Sequence, residues 1–331
     1  MIFKVVNELR TSGIRMVIYH IRMVLTKKEK DIYLYYSFLH KNKSLKELEK
    51  DLEKEFEYCN LYKMDFSNPQ TYCQKVYWLR LYGGTPLKTK LADKFLCREY
   101  INNIIGEEYN VPLLGVWDTF EQVDFDKLPT RFVLKANHGC GFNIIVKNKK
   151  TMDKSKVKKL FDRWLNTNYA LVYCEMQYYR IPKKIIAEEY LEQLDGGLYD
   201  YKIHCFNGQP IFCELIGERD IDKCSAKQAV YDLKWNLLEF TFGDFEQFDH
   251  LIDKPKCLEE MIEVSRKLAA EIDYVRVDLY VVDDRIYVGE LTFTSSGGNN
   301  PNITPKCADL ELGRMIHLDA PYYFELEKTE Y

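Results

Sequence analysis

Polar and apolar positions change rhythm several times along this chain, and each change marks an element. The clearest run is Tyr274–Phe293. Val275, Val277, Leu279 and Val281 alternate with Arg276, Asp278 and Tyr280; after Asp283-Asp284 come Val288, Gly289, Glu290, Leu291, Thr292 and Phe293. Period-two alternation on both sides of a polar break predicts a β-hairpin with one face against a core. An odd-numbered loop, Asp283-Asp284-Arg285, puts Asp278 opposite Glu290 and Arg276 opposite Thr292. It gathers Val275, Val277, Leu279, Val281, Tyr287, Leu291 and Phe293 on the other face, whereas a two-residue turn mixes polar with apolar.

Two further hairpins are legible. Phe132–Ala136 and Asn143–Val146 read as strands around a loop holding Gly139 and Gly141, and Asp200–Phe206 and Pro210–Ile216 flank an Asn207-Gly208 turn. IIAEEYLEQL gives a strand ending in Glu188-Glu189-Tyr190-Leu191. The remainder is helical in rhythm. Residues 1–30 form a basic amphipathic helix, and the Lys/Glu-rich stretch from Lys41 to Glu57 reads as a solvated one. Asn68-Pro69-Gln70-Thr71 opens a helix through Lys75, Trp78 and Leu81 that stops at Gly83-Gly84. Ala92-Asp93 leads into a helix carrying Lys94, Arg98 and Tyr100, and residues 152–180 and 257–272 add more. The first hundred residues lack the βαβ rhythm of a Rossmann unit and are mostly helical.

The chain has 331 residues, enough for one large domain or two to three smaller ones. Apolar residues make up 46% and the net charge is −4, which excludes a disordered chain and a nucleic-acid-sized basic surface. The ten cysteines are scattered singly with no zinc spacing, so they are expected as reduced thiols in a cytoplasmic protein. No cleavable leader or membrane-spanning run is legible, and Arg15 and Arg22 exclude a span in the first helix. That helix either packs on its own domain, the more common outcome, or lies on the inner face of the plasma membrane.

Chemistry concentrates on the late hairpin. Facing carboxylates repel, and burying them is costly unless a cation lies between; hard oxygen ligands suit Mg²⁺, which keeps waters and takes phosphate oxygens. The alternative, a solvated network of Arg276, Asp278 and Glu290, stays open on the hairpin alone. Lys135 on the strand before the glycine loop can neutralise a phosphate that the glycines let the backbone approach. No Walker motif or dinucleotide fingerprint accompanies it.

The order of these parts resembles the ATP-grasp superfamily. More narrowly, NPQTY, WLRLYGGTPLKTKLADKFLCREYI, LPTRFVLKANHGCGFNIIV, IIAEEYL, DYKIHCFNGQP and VRVDLYVVDDRIYVGELTFTSSGG resemble its TupA-like, teichuronopeptide-biosynthesis branch, over roughly residues 60–318. The resemblance implies an α+β ATP-grasp fold, two α+β subdomains gripping ATP, behind a mostly helical N-terminal region. The boundaries it implies are 1–58 for a helical extension, 59–129 for the helical part of the core, 130–191 for the lid and 192–331 for the catalytic subdomain.

By the same resemblance Lys94 and Lys135 hold ATP phosphates under a flap Asn137–Phe142 that includes Asn137, Gly139 and Gly141. Glu188, Glu189 and Leu191 form the adenine and ribose hinge, and Lys202 is a further phosphate contact. Arg276 stabilises the transferred phosphoryl group with Lys135, and Asp278 and Glu290 hold Mg²⁺. Thr292 stands where related ligases usually carry Asn, with Asn299 or Asn300 as substitutes. The implied activity is ATP-dependent carboxylate–amine ligation through an acylphosphate on a bacterial cell-surface polysaccharide or its precursor. The implied partners are a saccharide bearing a carboxylate and an amino-acid-like amine, and the loop Thr294–Pro305 is the candidate to hold the carboxylate. Three other readings compete: a sugar phosphotransferase, a nucleotide-sugar glycosyltransferase using Asp283-Asp284, and a non-enzymatic scaffold. His138 and His204 are expected to be structural or phosphate-adjacent, and Cys140 a small filler. Oligomeric state is not legible.

Overall fold

Helices begin where capping residues allow them to. A computed structural model describes residues 32–191, 198–220, 225–242, 245–300, 303–324 and 326; the basic segment 1–30 lies outside them. Helix α1 (Ile32–His40) is followed by α2 (Leu45–Asn60), which starts at a Ser44–Glu47 capping box, and α3 (Tyr72–Tyr82), which starts at a Thr71–Gln74 box. The expected solvated helix corresponds to α2 but is only half solvated. Leu48, Leu52 and Phe56, spaced four apart, are fully buried against α3, so charge density hid an apolar stripe. Helices α4 (Pro86–Ala92) and α5 (Cys97–Ile104) follow. Lys94 lies in the turn between them, not on the helix the sequence suggested.

A first sheet is built from β1 (Leu113–Trp117), β2 (Phe132–Ala136), β3 (Asn143–Val146) and β4 (Ile185–Glu189). All its neighbours are antiparallel, in the order β1-β4-β2-β3. Strand β1 precedes residue 130 yet belongs to this sheet. Helices α6 (Lys154–Asn166) and α7 (Ala170–Tyr173) come between β3 and β4, and Phe161 of α6 joins Phe132, Leu134 and Ile185 in one core.

The second sheet contains β5 (Asp200–Phe206), β6 (Gln209–Asp220), β7 (Ser225–Asp232), β8 (Glu246–Gln247), β9 (Tyr274–Val282) and β10 (Arg285–Thr292). Its order is β10-β9-β5-β6-β7-β8, antiparallel except for β7 with β8. Helix α8 (Leu258–Ala269) covers the apolar face, which carries Ile203, Leu215, Val275, Val277, Leu279 and Leu291. The opposite face carries Lys202, His204, Glu214, Arg276 and Asp278 by strand alternation. A last helix, α9 (Lys306–Met315), packs on α3. Among the described residues no helix is long and apolar enough to cross a membrane.

The β9–β10 register corrects the sequence reading in one respect. Asp278 does pair with Glu290 and Arg276 with Thr292, but the turn is the two-residue Asp283-Asp284, with Val282 opposite Arg285. Both aspartates have positive φ, 52° and 60°, as a primed two-residue turn requires. The odd residue sits instead in a bulge at Gly289. A Cβ there would lie 2.7 Å from the Tyr280 ring, so the bulge needs glycine. As a result Ile286 and Val288, rather than Tyr287, complete the apolar face, and Tyr287 packs with Val111 and Leu191 instead.

Candidate active site

The two sheets meet at a cleft lined by Lys94, Arg98, Asn110, Lys135, Glu188, Gly289 and Glu290, among others. Two backbone ties and one side-chain tie close it. Lys94 N–H donates to Asn137 O at 3.1 Å, Asn137 Nδ2 donates to Asp93 Oδ1 at 2.9 Å, and Asn110 forms an isolated bridge with Val288.

One wall comes from β9 and β10. Asp278 is buried, and Arg276 grips it from Nε (2.6 Å) and Nη2 (2.7 Å) while Lys202 Nζ adds 2.8 Å. Burial pushes this carboxyl up, yet Arg276 and Lys202 outweigh it and hold it at about 2. Glu290 is looser, with Lys94 Nζ and Arg276 Nη2 each 3.9 Å from its oxygens and the Thr292 hydroxyl donating at 3.2 Å. The other wall comes from the first sheet. Lys135 Nζ lies 2.5 Å from Glu188 Oε2, and Arg98 Nη1 lies 3.2 Å from Glu188 Oε1. Lys94 Nζ donates to Gly139 O at 2.7 Å, tying the glycine loop to the acid wall.

The oxygen donors fit Mg²⁺. Asp278 Oδ1 accepts a single hydrogen bond and keeps a lone pair; Glu290 is half exposed; and the Thr292 hydroxyl stands on the same face. Among the described residues no group of three His, Cys, Asp or Glu could enclose a metal alone. A site completed by water and phosphate oxygens needs none. The network is buried rather than solvated, the alternative left open on the hairpin alone, and in it Lys202 is first of all the counter-ion of Asp278.

Several sequence-derived candidates fall elsewhere. Asn137 is fully buried, and its amide is taken by Asp93, Pro182 O and Lys184 N–H, so it braces the loop rather than facing the cleft. Strand alternation turns Glu188 inward and leaves Glu189 exposed. Leu191 packs with Val111 and Tyr287. Gly141, at φ +72°, has open space beside it, whereas Gly139 faces the Tyr169 ring with a Cβ distance of 2.7 Å. Asn299 hands its side-chain oxygen to Tyr77, and Asn300 lies beside Asn60 and Cys73, both away from the acid pair. Asp284 pairs with exposed Lys256 at the hairpin tip. His138 Nε2 donates to Trp164 O inside the lid, where burial lowers its pKa to about 4.

Some functional contacts were missed. Arg98, to which the sequence assigns no role, reaches Glu188 and Val111 O. The loop after β10 is held by unforeseen residues: Thr294 Oγ1 bonds buried Glu175 and accepts from Gln177 Nε2, and Ser295 Oγ accepts from Arg276 Nη1 at 2.8 Å. Burial raises the Glu175 carboxyl despite the Thr294 bond.

The chain matches the family described as TupA-like ATPgrasp over residues 74–317. No curated protein matches the sequence. Among solved structures it is similar to a D-alanine–D-alanine ligase from Bacillus anthracis complexed with ATP, at 17% identity and TM-score 0.35, covering 62% of this chain and 54% of that one. It is also similar to the D-cycloserine synthetase DcsG, at 13% identity and TM-score 0.40, covering 70% and 71% respectively. The ATP-grasp ligase PsnB complexed with minimal precursor overlaps at 13% identity and TM-score 0.37, over 64% and 55%. The chain thus spans about half the length of the D-alanine–D-alanine ligase. With the match running from the third helix to beyond α9, the chain belongs to the TupA-like ATP-grasp family.

Proposed function

We propose that the protein is an ATP-dependent carboxylate–amine ligase that joins an amino-acid-like amine to a uronic acid of a cell-surface saccharide or its precursor. The observation carrying this reading is the cleft itself. Asp278 and Glu290 face each other across β9 and β10, with Arg276 beside them and Lys94 and Lys135 opposite. Cations outnumber the carboxylates lining this cleft, which suits a polyphosphate.

Lys94 and Lys135 neutralise phosphate oxygens, and the glycine loop offers backbone N–H groups to them. Mg²⁺, held by Asp278 and Glu290 with the Thr292 hydroxyl, supplies further charge neutralisation when bound. Arg276 has five N–H donors, of which four are taken by Asp278, Thr292 and Ser295. Among the described residues the remaining Nη1–H has no partner and is the one left to meet a transferring phosphoryl group. The carboxylate oxygen forms a bond to the γ-phosphorus as ADP leaves. The amine nitrogen then attacks the acyl carbon, phosphate departs, and a proton is lost to give the amide. No nucleophilic side chain takes part, so the residues act by positioning and electrostatics. Single cysteines without disulfide or zinc spacing support a cytoplasmic setting for this chemistry, and the resemblance to the polysaccharide-cluster branch supports the saccharide.

The test mixes protein, ATP, Mg²⁺, glucuronic acid and an amino acid, then measures nucleotide and product mass. The reading expects ADP, phosphate and an amide that requires every component. Release of AMP, or a stable sugar phosphate formed without amine, sinks it.

A further inference from the structure

Buried carboxylates in this fold are ion-paired or heavily hydrogen-bonded, with one exception. Among the described residues Asp273, Asp278, Glu188 and Glu214 each face a Lys, Arg or His. Asp93 accepts from Asn137 Nδ2 and from two backbone N–H groups, and Asp309 from the Cys73 N–H and the Tyr62 hydroxyl. Glu175, only 8% exposed, accepts a single side-chain hydrogen bond, from the Thr294 hydroxyl onto Oε1. Among the described residues its Oε2 accepts none, yet it is not one of the polar atoms shut off from solvent without a partner, so it stays reachable. No cation on the neighbouring segments comes to it. Arg80 bonds Glu55, Tyr173 O and Gly297 O, Arg276 bonds Asp278, Thr292 and Ser295, and Lys94 bonds Gly139 O. Glu175 has therefore lost most of its hydration and gained no counter-ion, which is costly unless a ligand supplies one.

Its place in the fold says where that ligand comes from. Glu290, Thr292 and Thr294 share one face by alternation, and Phe293 between the last two is in the core. Thr294 accepts from Gln177 Nε2 at 2.9 Å, so its one proton is directed at Glu175. On the lid side, Tyr178 packs on Tyr169 with centroids 5.0 Å apart, and the Tyr169 ring lies against Gly139. Gly139 O meets Lys94 Nζ, which is 3.9 Å from Glu290. These contacts make a closed circuit from the glycine loop through Glu175 to the acid wall and back.

We propose that Glu175 is the residue that binds the protonated amine of the second substrate, with Thr294 and Gln177 holding its carboxylate in place. The inference rests on the ligase reading and names the wall that receives the amine. A carboxylate here repels a substrate carboxylate and attracts an ammonium. The loop opened by Thr294 thus serves the amine, in place of the carboxylate that the sequence assigned to it.

Glu175→Gln keeps the size of the side chain and the oxygen that accepts from Thr294, and removes the charge. The full chain is given ATP, Mg²⁺ and glucuronic acid, with either hydroxylamine or an equimolar mixture of the common amino acids at low concentration. Hydroxylamine is uncharged at neutral pH and traps an acylphosphate without an ammonium site. The variant should form hydroxamate within about twofold of the parent rate, while its amide formation falls by about 30-fold or more. Undiminished amide formation, or an equal loss of both products, overturns the assignment, and so does a parent that makes hydroxamate but no amide. A parent that makes neither product removes the ligase reading, and the amine with it. Denaturant unfolding adds a check that needs no substrate. The variant should unfold at the same or a higher denaturant concentration, because the parent buries a charge without a counter-ion. A lower midpoint means that Glu175 is satisfied within the fold, and it overturns the site whatever the reaction.

Discussion

Two hairpins face the cleft, and they are built on opposite principles. The β9–β10 hairpin carries fixed charge: Asp278 is buried, gripped by two cations, and its side-chain contacts leave little freedom. The β2–β3 hairpin carries exposed backbone instead: Cys140, Gly141 and Asn143 are exposed, and among the described residues nothing lies within 4 Å of a Cβ added at Gly141. Its base is anchored by the Asn137 amide, by Lys94 Nζ on Gly139 O and by Phe142, stacked 5.1 Å from Trp164, so only the Cys140–Gly141 tip is loose. Electrostatic catalysis needs its charges held in place before the substrate arrives, whereas a cover over phosphates has to let them in. One wall is rigid through ion pairing, and the other is adaptable through glycine.

The strongest way to break this contrast is Asp278→Asn. It leaves Arg276 and Lys202 buried without their shared counter-ion, so unfolding free energy should fall by about 3–5 kcal/mol, and turnover should fall by about 1,000-fold. Denaturant unfolding and ADP release check the two parts, and a variant as stable as the parent contradicts the rigid-wall half. Gly139→Ala probes the other hairpin. The added methyl meets the Tyr169 ring at 2.7 Å, so the loop has to shift. Turnover should drop by about 10- to 100-fold, and stability should fall by about 1–3 kcal/mol, less than for Asp278→Asn. Equal losses of stability in both variants would erase the comparison.

The smallest effect is in pH. The Asp278 carboxyl is held at about 2, below its ordinary value of 3.8. A folded value below the unfolded one means stability that is present above about pH 4 and disappears as pH falls toward 2. The contribution is on the order of 2 kcal/mol. Unfolding followed between pH 5 and 2 should show this slope in the parent, and Asp278→Asn should flatten it.

How much of this was legible follows from what each pattern encodes. Alternation specifies which residues share a face, so Asp278 opposite Glu290 could be read directly. It does not say where an odd residue is absorbed: a three-residue loop and a bulge give the same pairing beyond Gly289, and only that glycine hinted at the difference. The β2–β3 strands appeared at their predicted limits because a glycine loop punctuates them. Strand β1 was missed because its five residues are half-buried or exposed and carry no strong alternation. Resemblance located Asn137 and Glu189 in sequence but not their side-chain directions, and the alternation along β4 would have separated Glu188 from Glu189. The buried string of Tyr72, Tyr274, His204 and Glu214 was invisible because its members come from three separate stretches and meet only in three dimensions.

Isothermal titration of ADP, with and without Mg²⁺, onto the parent and Glu290→Gln tests the central claim most directly. Glu290 is the looser carboxylate, so this change spares the buried Asp278 network. The parent should bind ADP at least about tenfold more tightly with Mg²⁺ than without, and Glu290→Gln should lose most of that difference. ADP binding that ignores Mg²⁺, or a Glu290→Gln protein that keeps the full metal dependence, contradicts the assignment of this cleft.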